Sequence, residues 1–159
     1  MKNPPVVEKI TVRYADLDPY GHVSNVVYLS FFESARVAYL RALSENLGLG
    51  PLEAGDLPGV RYVLAEATVR YKAPVYLDDP LYGAASVRSV GARSFVMDYE
   101  LRTGESFDRG RVVAESTSSQ VFYDPETRGI RRRPEWFLAA VAALEGRPEE
   151  SFASEREGR

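Results

Sequence analysis

The stretch Tyr14-Ala15-Asp16-Leu17-Asp18-Pro19-Tyr20-Gly21-His22-Val23-Ser24-Asn25 opens directly onto a long apolar segment. Asp18-Pro19-Tyr20-Gly21 has the composition of a β-turn, with Asp first, Pro second and Gly last. Ser24 or Asn25 suits the N-cap of a helix from about Asn25 to Leu47, which Gly48 would close. The turn therefore sets a carboxylate a few residues ahead of a helix N-terminus, where unpaired N–H groups and the positive dipole end gather. Such a carboxylate suits attack on a carbonyl whose oxygen gains negative charge.

The helix itself is apolar over most of its circumference, from Val26, Val27, Tyr28 and Leu29 through Phe31, Phe32 and Ala35 to Leu40 and Leu43. Ser30, Glu33, Ser34, Arg41, Ser44 and Glu45 fall in one narrow stripe, so the spacing predicts a helix wrapped by protein. Val6 to Tyr14 reads as a strand before it, and Pro51 to Gly59 as a loop after it. Four further strands follow with little helical signal between them. In Arg61–Tyr71, alternation places Val63, Ala65, Ala67, Val69 and Tyr71 on one face. Leu81–Val90 is next. In Phe95–Arg102, the residues Phe95, Met97, Tyr99 and Leu101 point inward, and Asp98, Glu100 and Arg102 outward. In Arg111–Tyr123, the small side chains of Ala114, Ser116 and Ser118 share a face and would let a helix lie close. Pro134 opens a short helix to about Leu144. The pattern predicts an α+β domain over residues 1–145, a curved antiparallel sheet around the apolar helix. The charged tail, residues 146–159, is expected to be disordered.

With 159 residues, of which 45% are hydrophobic and 27% charged, the chain has the makings of one domain with a real core. A net charge of −3 argues against a nucleic-acid-binding surface. The absence of cysteine excludes thiolate nucleophiles and Cys-ligated metals, and a single histidine excludes His-cluster metal sites. No apolar run is long enough to span a membrane, and no secretory leader is visible, so the expected compartment is the cytoplasm.

The combination Arg13-Tyr14-x-Asp16-x-Asp18-x-x-Gly21-His22-Val23-x-Asn25-x-x-Tyr28 resembles the hotdog-fold acyl-CoA thioesterases of the 4-hydroxybenzoyl-CoA thioesterase family. Glu33-x-x-Arg36 and Val69-x-Tyr71-x-x-Pro74-Val75 add to the likeness, which spans roughly Val6 to Tyr123. Gly-His-Val-x-Asn looks more like the fatty-acyl branches than the envelope-complex branch, which carries His at the position of Asn25. The resemblance implies hydrolysis of an acyl-CoA to a carboxylic acid and coenzyme A. It implies Asp18 as nucleophile or general base and the Asn25 backbone N–H as oxyanion donor. It also implies a homodimer or homotetramer with sites at subunit interfaces. No metal or redox cofactor is expected, coenzyme A entering only as part of the substrate.

Other residues carry weaker expectations. Asp16 reads as structural or solvated. His22, the one histidine, reads as a hydrogen-bonding or substrate-contacting group rather than a base, and Tyr28 as either core or substrate contact. Glu33 is in reach of Arg36 for an ion pair. Arg93 and Ser94, with Arg88 nearby, are candidates for the coenzyme A phosphates. Arg131-Arg132-Arg133 could instead receive an acyl carrier protein. A non-catalytic acyl-CoA-binding domain is the remaining alternative.

Overall fold

The computed structural model describes residues 1–52 and 56–153, so part of the Pro51–Gly59 loop and the end of the tail lie outside the described residues. Its elements are β1 (Val6–Ile10), α1 (Tyr28–Leu47), β2 (Tyr62–Tyr71), β3 (Leu81–Val90), β4 (Ser94–Thr103), β5 (Arg111–Asp124), β6 (Gly129–Ile130) and α2 (Trp136–Glu145). Short 3₁₀ turns occupy Tyr14–Asp16, Asn25–Val27 and Glu149–Phe152. The sheet runs in the order β1-β3-β4-β5-β2 with every pairing antiparallel, and β6 pairs with β5. It curls as a half-barrel around α1, which is the hotdog fold that the motif implied.

The inward residues of β4 are those the alternation predicted: Phe95, Met97, Tyr99 and Leu101 are all buried. Three other expectations are corrected. The first strand stops at Ile10 rather than Tyr14, because the Asp16 carboxylate accepts the Arg13 N–H at 2.8 Å and draws the chain into a 3₁₀ turn. In β2 a bulge between Leu64 and Glu66 shifts the register by one residue. Val69 and Tyr71 stand opposite Ser116 and Ala114 on the inner face, whereas Val63 stands opposite outward-facing Val121. Glu100 does point outward but is buried, held by Arg102 and by the Met1 amino group.

The closest seating of α1 is on β3, not on the small residues of β5. A Cβ built on Gly83 would lie 2.8 Å from Ile10 Cδ1, 3.1 Å from Leu101 Cδ2 and 3.3 Å from Ala35 Cβ, so a larger residue there must displace all three. Gly48, in the left-handed region at φ 64°, ends the helix as expected. Ser44, placed on the solvent stripe by its spacing, is buried and donates to the Gly50 carbonyl at 2.7 Å.

At the other end of the sheet, the rings of Phe95, Phe122 and Phe137 pack with centroids 5.1 to 5.3 Å apart, so α2 plugs that end of the half-barrel. Beyond the end of β1, Glu145 takes over the bare edge of β3, accepting from the Val87 N–H at 2.7 Å and the Ser86 hydroxyl at 2.9 Å. The tail expected to fray from Gly146 instead stays docked through Phe152, which is fully buried beneath the Arg147 guanidinium.

Replacing Gly83 by Val should overpack the seat of α1 and cost about 1–3 kcal/mol, read as a lowered denaturant midpoint. An unchanged midpoint would mean that Ala35 is not seated there.

Candidate active site

Asp18 sits on a turn closed from several sides. Its N–H donates to the His22 carbonyl at 2.9 Å, and its own carbonyl accepts from the Gly21 N–H at 3.0 Å. Leu17 bridges to Val23, whose N–H donates to the Val75 carbonyl at 2.8 Å, and the Ser24 N–H donates to the Asp16 carbonyl at 2.9 Å. Gly21, at φ 84°, supplies the left-handed residue that this turn needs.

The carboxylate is oriented as firmly as its backbone. Oδ1 accepts the Tyr20 N–H at 2.9 Å, and Oδ2 faces His22 Nδ1 at 3.2 Å. The hydrogen bond of Nδ1 itself is to the Val23 carbonyl at 3.4 Å, so His22 stands beside the carboxylate as an ion-pairing neighbour. A carboxylate oxygen has two lone pairs, so each Asp18 oxygen keeps one for a reacting partner. The side chain is 21% exposed and therefore reachable. The rings of Tyr20 and Tyr76 flank His22 at 6.2 and 6.5 Å, which fixes the imidazole in turn.

Asn25 begins the 3₁₀ turn that feeds α1, with Ser24 as its N-cap, so its N–H has no intrahelical acceptor. Its carbonyl is tied to the sheet by the Tyr71 hydroxyl at 2.8 Å. Tyr28 lies in the core, its ring edge-on to Tyr71 at 5.1 Å, and burial raises its hydroxyl pKa. Asp16 is buried rather than solvated and is held by Arg13 through Nε at 3.2 Å and a terminal nitrogen at 2.8 Å. The Arg13 side-chain hydrogen bond lowers the Asp16 pKa in spite of burial. Asp16 is therefore a strut for the turn.

The phosphate candidates lie at the opposite end of the sheet. Ser94 stands opposite Val121, whereas Tyr71, beside Asn25, stands opposite Ala114. Those β5 positions are seven residues apart, about 23 Å at 3.3 Å per residue. One chain therefore does not bring Arg93 and Ser94 to Asp18. The structure does bring the two basic groups together, since the Arg133 N–H donates to the Ala92 carbonyl at 2.9 Å. Exposed Arg93, Arg131 and Arg132 thus share one end of the molecule. Arg88 is already engaged, donating to Asp98 through Nε at 2.8 Å. Arg36 and Glu33 form the expected ion pair at 3.0 Å.

Neither of the two principal concave surfaces contains Asp18. A groove of about 490 Å³ lies on the outer sheet face around Arg70, Arg88, Glu115 and Thr117, and one of about 790 Å³ lies by Val37, Arg41 and Leu52. Beside Asp18, the flank formed by α1 and the sheet edge is instead uncovered. Val26 is 75% exposed, Leu29 47%, and β2 is a free edge carrying exposed Val63, Leu64 and Tyr71. Among the described residues no group of His, Asp or Glu is placed to hold a metal ion, and no helix is long and apolar enough to cross a membrane.

A half-barrel of antiparallel strands around a central helix is the hotdog fold. Comparison with known proteins gives the family. The profile of the thioesterase-like superfamily matches residues 12–141. The chain belongs to that superfamily and is a thioester hydrolase. Among solved structures, a Thermus thermophilus thioesterase complexed with coenzyme A and zinc is 30% identical, with 93% of this chain and 100% of that chain covered and a TM-score of 0.75. A Pseudomonas aeruginosa protein is 27% identical, covering 88% and 91% of the two chains with a TM-score of 0.70. A Synechocystis 1,4-dihydroxy-2-naphthoyl-CoA thioesterase shares the fold at 21% identity, with coverage of 89% and 98% and a TM-score of 0.69. A search among curated proteins finds no match.

Two outcomes follow from this geometry. His22→Ala, which removes the ring that faces Asp18 Oδ2, should lower kcat only about tenfold. A total loss of turnover would make His22 the reacting group instead. Asp16 has a lowered pKa in the fold, so its contribution to stability is complete above the ordinary Asp value of about 3.9 and disappears as pH falls through the lowered one. The stability gap between wild type and Asp16→Asn should therefore be constant near neutrality and close only below about pH 4. A gap that closes near neutral pH would contradict the strut.

Proposed function

We propose that this thioester hydrolase acts on acyl-CoA, with Asp18 as the reacting carboxylate and the Asn25 N–H as the oxyanion donor. The supporting observation is that Asp18, fixed by the Tyr20 N–H and faced by His22, lies immediately before a helical turn whose first N–H is free of intrahelical partners. Attack on the thioester carbonyl drives charge onto its oxygen, and a fixed N–H dipole there lowers the barrier without reorganisation. Asp18 either adds to the carbonyl itself, giving a mixed anhydride that water cleaves, or takes a proton from the water that adds. In both routes the thiolate of coenzyme A leaves without a strong acid. No metal or redox cofactor takes part.

The active unit is a homodimer. Edge strand β2 is ten residues long and unpaired on one side, and exposed Val26 and Leu29 border it. Antiparallel pairing of two β2 edges about a two-fold axis sets the Tyr71 end of one chain beside the Tyr62 end of the other. The partner's Arg93 and Arg133 then arrive at the end where Asp18 lies. That is where the phosphates of a coenzyme A seated on Asp18 need cations. The Thermus thermophilus neighbour, crystallised with coenzyme A, is consistent with such a ligand.

Free-thiol release from short, long and aromatic acyl-CoAs tests this reading. Asp18→Asn should fold normally and lose about 10³-fold in kcat, in the range for removal of a reacting carboxylate. Retained activity in Asp18→Asn would contradict it. Turnover confined to thioesters of an acyl carrier protein would move the partner of the Arg93 and Arg131–Arg133 surface from coenzyme A to that protein.

A further inference from the structure

Past the bulge at Leu64–Glu66, the pairing of β2 with β5 is regular from Glu66 to Tyr71. Lys72, next in line, donates its N–H to the Val113 carbonyl at 2.8 Å. Backbone groups alternate in direction along a strand, so those of Thr68 and Arg70 also face β5. The N–H and C=O groups of Ala67, Val69 and Tyr71 face the open edge, where another strand can pair with them. Side chains alternate as well. Ala67, Val69 and Tyr71 stand opposite buried Ser118, Ser116 and Ala114 on the inner face, which leaves Glu66, Thr68 and Arg70 on the outer face. All three outer residues are exposed. Their spacing carries the information: opposite charges four residues apart, two residues to either side of Thr68.

A two-fold axis that extends the sheet keeps inner faces together. Opposed residues must then face alike, so the axis passes through a residue rather than between two. An axis at Glu66, Arg70 or Tyr71 sets like charges opposite each other, the last by opposing Arg70 to Lys72. An axis at Ala67 runs Arg70 into the partner's bulge. An axis at Val69 opposes Arg70 to Thr68 and leaves Glu66 to Lys72, which Glu115 already holds at 3.0 Å. An axis at Thr68 sets Glu66 of each chain opposite Arg70 of the other, two ion pairs in all, with Ala67 opposite Val69 on the inner face.

We propose that two copies of this chain join through β2 on a two-fold axis at Thr68, with reciprocal Glu66–Arg70 ion pairs fixing the register. The inference rests on the reading that the active unit is a homodimer paired through β2. The register bears on the site. Tyr71, whose hydroxyl holds the Asn25 carbonyl, comes level with the partner's bulge. The partner's Leu64, opposite buried Gln120 and 49% exposed in the single chain, is thereby brought beside Tyr71 at the helix entry. Moving the axis by one residue slides the partner by two, about 7 Å, and takes the partner's Arg93 and Arg133 with it.

On this axis Thr68 faces its own copy as a pair without mutual hydrogen bonds, with Cα atoms about 4.5 Å apart, within the span of a disulfide. The chain has no cysteine of its own. Thr68→Cys under a mild oxidant should therefore run as a cross-linked dimer on a non-reducing gel, and Val69→Cys should not. Glu66→Lys and Arg70→Glu each turn two attractions into two repulsions and should weaken the dimer about tenfold or more in sedimentation equilibrium. Mixing the two variants should restore a heterodimer of near wild-type affinity, because each reversed charge then meets its complement. Cross-linking through Val69→Cys in place of Thr68→Cys, wild-type affinity in both charge variants, or a mixture that fails to recover would overturn the register and leave the β2 homodimer standing. A wild-type protein that stays monomeric at all concentrations would contradict the homodimer itself, and the register with it.

Discussion

The backbone strap around Asp18 is the constraint on which the rest depends. Leu17 and Val23 bridge across the turn, Val23 donates to Val75 ahead of β3, and Ser24 donates to Asp16. Three parts of the chain, the segment after β1, the helix entry and the approach to β3, are thereby fixed to one another. A side chain on a free Asp-Pro-x-Gly turn would sample many orientations. Here one carboxylate oxygen accepts the Tyr20 N–H and the other faces His22, while the N–H at the head of α1 is held a few residues away. Pre-organisation of this kind is worth more to a reaction than the strength of any single bond. Gly83 serves the same end from below, since the depth at which α1 sits on β3 sets where its N-terminus emerges.

The sheet divides its two faces between different tasks. The outer face is laced with ion pairs, Arg88 with Asp98 and Lys72 with Glu115, which satisfy one another and leave little unmet. The inner face is apolar beneath α1 and closed by Phe95, Phe122 and Phe137 at one end. Between these lies a buried polar cluster in which the Tyr99 hydroxyl, Ser118 Oγ and the Gln120 amide nitrogen bond one another.

Much of this was legible in the sequence, for reasons that differ by element. α1 and its Gly48 cap followed from a long apolar segment with an unambiguous stop, and the inward face of β4 from clean alternation. Asp18 stood out because turn chemistry and helix start coincided. The misread elements share a cause, a local contact that periodicity does not encode. Thr11 to Tyr14 looks extended, but the Asp16 carboxylate bends it. Val63 and Ala65 follow the alternation of β2 until one bulge reverses the face. Ser44 looks like a surface residue, but the returning chain at Gly50 buries it. The nearness of His22 to Asp18 comes from the local turn, and the separation of Arg93 from Asp18 from topology. A Gln at an inward strand position was the available signal for the buried polar cluster.

The central claim is that a thioester carbonyl is held between Asp18 and the Asn25 N–H. A crystal structure of the protein with a non-hydrolysable ketone analogue of an acyl-CoA, its thioester sulfur replaced by CH2, tests this. The account predicts the analogue's carbonyl oxygen about 3 Å from the Asn25 nitrogen and an Asp18 oxygen, or one water bonded to it, about 3–3.5 Å from the carbonyl carbon. An analogue seated in the groove on the outer sheet face, with its carbonyl remote from Asp18, would contradict it.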